Sequence, residues 1–209
     1  MVCHFPGYEG KFIVFEGIDG CGKGTQIKKA TSYIFDKSKE NIVAITREPT
    51  KDFKEIRAKM ASETDVKKDG DWYLKMFVKD RRNHLSKYVI PNLTKGVHVL
   101  SDRHKHSTLT YQPLQGVPFE KVVEAHHGLL VPDLTLIYDC PAQIAFERRK
   151  NEGATDVFDK DLDFQEKLRL AYLDLPSKLS GEKIAVIDAS KSIDDVFAET
   201  KKQIDILFN

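Results

Sequence analysis

What this 209-residue chain lacks narrows its function before any motif is read. Lys plus Arg total 33 and Asp plus Glu 32, so the formal charge is only +1 and no broad basic field exists to hold a nucleic-acid polymer. A monomeric nucleotide suits that balance better. Cysteine is scarce: Cys3, Cys21 and Cys140 are odd in number and lack paired or metal-type spacing, which argues for free thiols in a reducing cytosol rather than disulfides. No apolar run approaches the roughly 20 residues needed to cross a bilayer, and Met1 to Lys11 lacks the apolar core of a secretory signal. A cytoplasmic protein with no membrane partner is expected. Internal repeats and low-complexity stretches are missing too. With 41% apolar and 31% charged residues, the chain suits one α/β domain spanning 1–209.

Five short runs rich in β-branched or aromatic residues read as strands: Phe12 to Phe15, Ile42 to Thr46, Val97 to Ser101, Leu134 to Tyr138 and Ile184 to Ile187. Between them lie helical patterns long enough for parallel crossovers, such as Ile27, Ala30 and Ile34, and near the end Ile193, Val196, Phe197 and Ile204. The alternation predicts a doubly wound, five-stranded parallel sheet with helices on both faces. Ligands in such sheets gather at the carboxyl ends of the strands, so the residues just after each strand are read first.

The first of those positions carries the most specific signal. Gly17, Gly22 and Lys23 have the spacing of a phosphate-binding loop, placed between a strand and a helix. Small residues there let backbone N–H groups turn inward around phosphate oxygens, and the helix N-terminus adds positive dipole. Gly17, Ile18, Asp19, Gly20, Cys21, Gly22, Lys23, Gly24, Thr25 and Gln26 are therefore the candidate ATP site of a P-loop NTPase fold. The residue after the lysine, usually a Ser or Thr whose hydroxyl touches Mg²⁺, is Gly24, and the hydroxyl arrives at Thr25. The variant G-K-G-T-Q resembles that of adenylate kinases, and it leaves Mg²⁺ to phosphates, water and carboxylates from elsewhere.

Arginines follow the second and third strands, in Thr46-Arg47-Glu48-Pro49-Thr50 and Ser101-Asp102-Arg103-His104. Their guanidinium forks suit phosphate oxygens. Between these strands Asp71 to Thr94 reads as one long helix carrying Phe77, Arg81, His84 and Tyr88 on one face, with Val78, Leu85 and Val89 left for the core. A ring one turn from a planar donor can grip a nucleobase. The run Ser107 to Gln112, including Thr108 and Tyr111, adds hydroxyls, a phenol and an amide. His104, His106, His126 and His127 lack the spacing of a zinc site and read as surface or packing residues. After the fourth strand a helix from Gln143 ends in Arg148-Arg149-Lys150, and a weakly apolar connection follows before another helix from about Leu162 to Leu175. Residues 149–161 are a lid candidate, able to close over a nucleotide and exclude water. Ser62 to Gly70 is polar and reads as a loop.

Taken in order, F-E-G-I-D-G-x-G-K (15 to 23), T-R-E-P (46 to 49), F-x-x-D-R-x-x-H (77 to 84), D-R-H-x-x-S-T-L-T-Y-Q (102 to 112), P-D-L-T (132 to 135) and L-D-F-x-x-K-x-R-x-x-Y-L (162 to 173) resemble the thymidylate kinase family over essentially the whole chain. The resemblance implies ATP-dependent phosphorylation of dTMP with Mg²⁺, and a homodimer is a candidate assembly. It implies that Asp19 contacts the sugar 3′-hydroxyl or the metal region, with Asp102 as a second metal candidate. Arg47 and Arg103 would bind the acceptor phosphate beside Glu48 and Thr108. Phe77 would stack on thymine, Arg81 and Gln112 would read its edge, and Tyr111 would lie beneath the sugar as a steric gate against a 2′-hydroxyl. Arg148 would lie by adenine. Three departures stand out: Gly24, the absent glycine-rich segment after R-E-P, and a missing catalytic arginine, whose two usual positions hold Gly20 and Val157. Neighbouring helix positions point about 100° apart, so Arg148, Arg149 and Lys150 cannot all face the site; with Arg148 given to adenine by the resemblance, Arg149 is the best remaining lid-side cation, with Lys150 behind it, and joins Lys23 and Arg103 as catalytic candidates. Two alternatives stay open: a kinase for another nucleotide or a deoxynucleoside, with Glu48 as a carboxylate base, and a nucleotide-binding P-loop regulator without turnover.

Overall fold

A computed structural model describes residues 8–62, 65, 68–151 and 161–209. Five strands form one sheet: β1 (Phe12–Glu16), β2 (Val43–Arg47), β3 (His98–Asp102), β4 (Leu134–Asp139) and β5 (Ile184–Asp188). Their order is β2-β3-β1-β4-β5 and every pairing is parallel. The chain winds to one side of β1 and then to the other, which makes the sheet doubly wound. Every strand ends one residue later than its apolar run. Glu16, Arg47, Asp102, Asp139 and Asp188 each extend the ladder by a charged residue, as in the pairing of Arg47 with Asp102 and of Asp139 with Asp188. Charged groups are thereby set along the carboxyl edge by the backbone ladder itself.

The helices are α1 (Lys23–Lys37), α2 (Lys54–Ser62), α3 (Gly70–His84), α4 (Ile90–Thr94), α5 (Lys105–Leu114), α6 (Phe119–Ala125), α7 (Ala142–Asn151), α8 (Leu162–Lys178) and α9 (Ile193–Phe208). The single helix expected from Asp71 to Thr94 is interrupted: a π-helical turn over Leu85–Val89 joins α3 to α4. His84 and Ile90 keep right-handed helical backbone, so the axis continues while the face rotates. Leu85, Val89 and Leu93 still reach the core. Helices α2 and α6 carry one buried apolar residue each, Ile56 and Val122, which is too faint a periodicity to read from the sequence.

Side chains alternate along β1 as a strand requires. Phe12 and Val14 pack with Leu85, Val89, Leu93, Val99 and Leu130, whereas Ile13 and Phe15 pack with Ile27, Ala30, Ile34, Leu100 and Leu136. The central strand is thus covered on both faces, which explains its continuous apolar run. Cys21 and Cys140 are buried free thiols, and Cys3 lies outside the described residues. No described helix is long and apolar enough to cross a membrane. Of the lid candidate 149–161, residues 152–160, including Val157, lie outside the described residues, as do 63, 64, 66 and 67 of the polar loop.

Candidate active site

The loop from Gly17 to Gly22 turns sharply because three of its glycines adopt left-handed backbone, φ being +133° at Gly17, +87° at Gly20 and +95° at Gly22. Gly22 caps α1 without any side-chain hydrogen bond, so the first N–H groups of that helix remain available to an anion. The Lys23 ammonium folds over the loop, donating to the carbonyl oxygens of Gly17 (3.0 Å) and Ile18 (2.9 Å) and lying 3.8 Å from Cys21 Sγ. Ile18 and Cys21 are buried, while Thr25 is exposed on the first turn of α1. Gln26 is turned away: its Nε2 donates to the Ile193 carbonyl, so its side chain serves the α1–α9 contact rather than the loop.

Beside the loop opens a cleft of about 290 Å³, lined by Asp19, Arg47, Glu48, Phe77, Arg81, Asp102, Arg103, Thr108, Tyr111, Gln112 and Arg149 among others. It lies at the carboxyl ends of β1, β2 and β3, where the winding reverses. Arg103 takes a left-handed backbone, φ +74°, unusual for a non-glycine residue. Its guanidinium donates to Asp19 Oδ1 (2.8 Å), Ser107 Oγ (2.9 Å) and Tyr172 Oη (3.0 Å), and it lies 5.7 Å from the centre of the Tyr111 ring. Burial alone would raise the Asp19 pKa, but Arg103 and then Lys23 override it and hold the carboxyl well below the usual range. Arg47 is mostly exposed and pairs with Asp102 Oδ2 at 2.7 Å. Asp102 Oδ1 is buried and has no hydrogen-bond partner.

Two buried carboxylates hold these groups in place. Glu16, at the end of β1, accepts from the Ser107 hydroxyl (2.7 Å), the Tyr172 hydroxyl (3.1 Å) and the backbone N–H of His104 (2.7 Å). Glu48 accepts from Arg81 Nε (2.7 Å), His84 Nδ1 (2.9 Å) and His104 Nδ1 (3.2 Å). A carboxylate only accepts, so both histidines carry their proton on Nδ1. Burial would push the Glu48 pKa up; Arg81 and then His104 bring it well below the ordinary value. The expectation that Glu48 could serve as a base is corrected on that ground, since a carboxylate locked to a guanidinium is a poor proton acceptor.

Arg81 is 2% exposed and also donates through Nη1 to Thr108 Oγ1 (3.1 Å) and to His126 Nε2 (2.5 Å). Phe77 is half-buried and stacks on Tyr73 with centroids 5.8 Å apart. Asp80 anchors the segment after β2 by accepting from the Thr50 backbone (2.7 Å) and hydroxyl. His84, His104, His106 and His126 are buried, as a packing role requires, yet three of them hold Glu48 or Arg81; His127 is exposed. Glu16, Tyr172, His84, His126 and Gln115 were missed as site residues. The charged end of an apolar strand is the one signal that marks Glu16; the others become site residues only through partners distant in sequence.

The two arginines of α7 diverge. Arg148 leaves the cleft, donating to the Ala189 carbonyl (3.0 Å) after β5. Arg149 lines it, beside Asp19, whose pKa it helps to lower. A side chain at Gly20 would collide with the Ala145 carbonyl oxygen and come within 2.8 Å of Arg149 Cγ, so α7 packs directly on the loop. No cluster of three or more potential metal ligands exists among the described residues.

A parallel sheet with a phosphate loop after its central strand and a cationic cleft alongside places the chain among the P-loop NTPases. Within that class the thymidylate kinase family profile matches residues 15–200, and the chain belongs to that family. It is similar to thymidylate kinases from Ligilactobacillus salivarius (38% identical over 201 residues, 92% of this chain and 96% of that protein) and Carboxydothermus hydrogenoformans (34% over 202 residues, 92% and 95%). A thymidylate kinase from Geobacillus sp. strain WCH70 is 33% identical over 201 residues, covering 92% of this chain and 94% of its own.

The loop geometry separates two glycines. Gly20→Ala is expected to destabilise the protein by several kcal/mol, from the positive φ plus the backbone collision. Gly24→Ala, with nothing within 4 Å of the new Cβ, should stabilise α1 by roughly 0.5–1 kcal/mol. Urea unfolding of the two variants checks this, and equal effects would refute the packing of α7 on Gly20.

Burial lowers the His104 pKa to about 4, and burial with the Arg81 charge lowers that of His126 well below the usual value. In the unfolded chain both titrate near 6.5, so as the pH falls below about 6.5 the unfolded state holds more protons and stability falls, for His104 until about pH 4. Each histidine contributes a slope of roughly 1 kcal/mol per pH unit there. His126→Gln should flatten the pH dependence of the urea midpoint across that window; an unaltered slope would count against its buried neutral state.

Proposed function

We propose that the chain transfers the γ-phosphoryl group of ATP to dTMP, giving ADP and dTDP. The observation that carries this reading is one cleft that joins the phosphate loop to two arginines and to a ring with a base-reading pair, Phe77 with Arg81 and Gln112. The family membership, and relatives named for thymidylate, support dTMP as the acceptor.

ATP phosphates lie in the loop, under the free N–H groups of α1, with Lys23 moving from the loop carbonyls to phosphate oxygens. The acceptor's phosphate lies against Arg103 and Arg47, its base on Phe77, and its sugar over Tyr111. An oxygen of the dTMP phosphate attacks the γ-phosphorus as the bond to the bridging oxygen of ADP breaks. That oxygen is already anionic at neutral pH, so no general base is required. Charge on the transferred group is met by Lys23, Arg103 and Arg149, of which Arg103 is already held by Asp19, Ser107 and Tyr172, so that it needs little reorganisation during transfer. The buried, unpartnered Asp102 Oδ1 and the nearby Asp19 suit a hydrated Mg²⁺ arriving on the ATP phosphates. Bound there, the ion would neutralise phosphate charge. Residues 1–209 act as one kinase domain with 149–161 as its lid, in the cytoplasm, and a second copy of the chain remains the candidate partner.

The deoxynucleoside reading requires a carboxylate base, and Glu48 is tied to Arg81, His84 and His104. Among dTMP, dUMP, UMP, CMP, AMP and thymidine, a coupled assay of ADP release is expected to show the highest kcat/KM with dTMP and none with thymidine. Turnover of thymidine, or ATP binding without any turnover, would overturn the reading.

Arg149→Ala should lower kcat by about 10²-fold or more with little change in either KM, the pattern of an interaction made only in the transition state. Arg148→Ala, by contrast, should raise the KM for ATP and leave that for dTMP alone. If steady-state kinetics show kcat intact in Arg149→Ala, α7 supplies no transition-state charge.

A further inference from the structure

We propose that Gln115 sets the base specificity of the cleft by fixing which way the Gln112 amide faces. This rests on the placement of the acceptor base against Arg81 and Gln112 proposed above. Gln112, on α5, is 1% exposed and lines the cleft. Its Nε2 donates to Gln115 Oε1 at 2.8 Å, and its Oε1 is buried with no hydrogen-bond partner. One of the two Nε2 hydrogens is engaged by Gln115, and the unpartnered polar atom left for a ligand is the acceptor Oε1.

Gln115 is itself firmly seated. It follows the last residue of α5, and its backbone N–H is bonded to the carbonyls of Tyr111 (3.1 Å) and Gln112 (3.0 Å). Gly70, at the start of α3, presses against it so closely that a Cβ there would come within 2.9 Å of Gln115 Cβ. The spacing of three along a helix end is what brings the two amides together.

The chemistry that follows concerns polarity. Arg81 can only donate. A donor beside the Gln112 oxygen matches a base edge that presents a carbonyl oxygen next to a ring N–H, as thymine and uracil do. Cytosine presents an amino group next to a bare ring nitrogen, the reverse order. The Gln112 amide could meet that ring nitrogen by a half-turn about its terminal bond, a soft, roughly two-fold torsion. Gln115 Oε1 opposes the half-turn, because an oxygen would then face an oxygen unless both amides turned together.

The test measures kcat/KM for dTMP and dCMP, and KM for ATP, in the full chain carrying Gln115→Leu, Gln115→Glu or Gln112→Leu. Gln115→Leu should lower the dTMP-to-dCMP ratio by about tenfold, the scale of one hydrogen bond, chiefly by raising kcat/KM for dCMP while KM for ATP holds. Gln115→Glu, which keeps an acceptor facing Gln112 Nε2, should restore the ratio. Equal losses on both substrates, or an unchanged ratio, would overturn the proposal. If the ratio changes in Gln112→Leu but not in Gln115→Leu, only the role of Gln115 fails; if Gln112→Leu leaves the KM for dTMP unchanged, the base placement fails and takes this inference with it. Should Gln115→Leu not fold, Gln115→Met carries the same comparison.

Discussion

The arrangement depends on a carboxylate taken out of water. Glu48 is 4% exposed, and an unpaired charge at that depth would cost several kcal/mol. It is satisfied by Arg81, His84 and His104, which come from α3 and from the segment entering α5, while Glu48 itself follows β2. One group therefore ties together the elements that wall the cleft. The same contacts orient Arg81, because a guanidinium held at Nε by a carboxylate and at Nη1 by Thr108 and His126 presents its remaining edge in one plane.

Glu16 does the equivalent around Arg103. It accepts from Ser107 and Tyr172, and both of these in turn accept from Arg103. The positive φ of Arg103 persists inside this network, which fits the general pattern of uncommon backbone held by over-determined surroundings at functional sites. Two carboxylates thus anchor two arginines of the cleft, Glu48 holding Arg81 directly and Glu16 holding Arg103 through Ser107 and Tyr172.

Much of this was legible in the chain. The five strands follow from β-branched runs, and the phosphate loop from glycines whose positive φ no other spacing would require. The last residue of every strand was not legible, because a charged residue ends an apolar pattern even where the ladder continues through it. The π-helical turn at Leu85–Val89 has no compositional mark, and the buried histidines were readable as packing residues but not as partners of Glu48 and Arg81. Those pairings join positions 36 to 56 residues apart, and no local periodicity encodes them. Glu48 shows the cost of that blindness: by residue type it was a candidate base, and only its partners reveal a fixed counter-ion.

The missing side chain at Gly20 has a mechanical meaning. Backbone meets backbone there, loop against the Ala145 carbonyl, without the cushion of a flexible side chain. Such a joint transmits displacement instead of absorbing it. The loop and α7 therefore share one rigid seam: neither can shift at Gly20 without the other giving way.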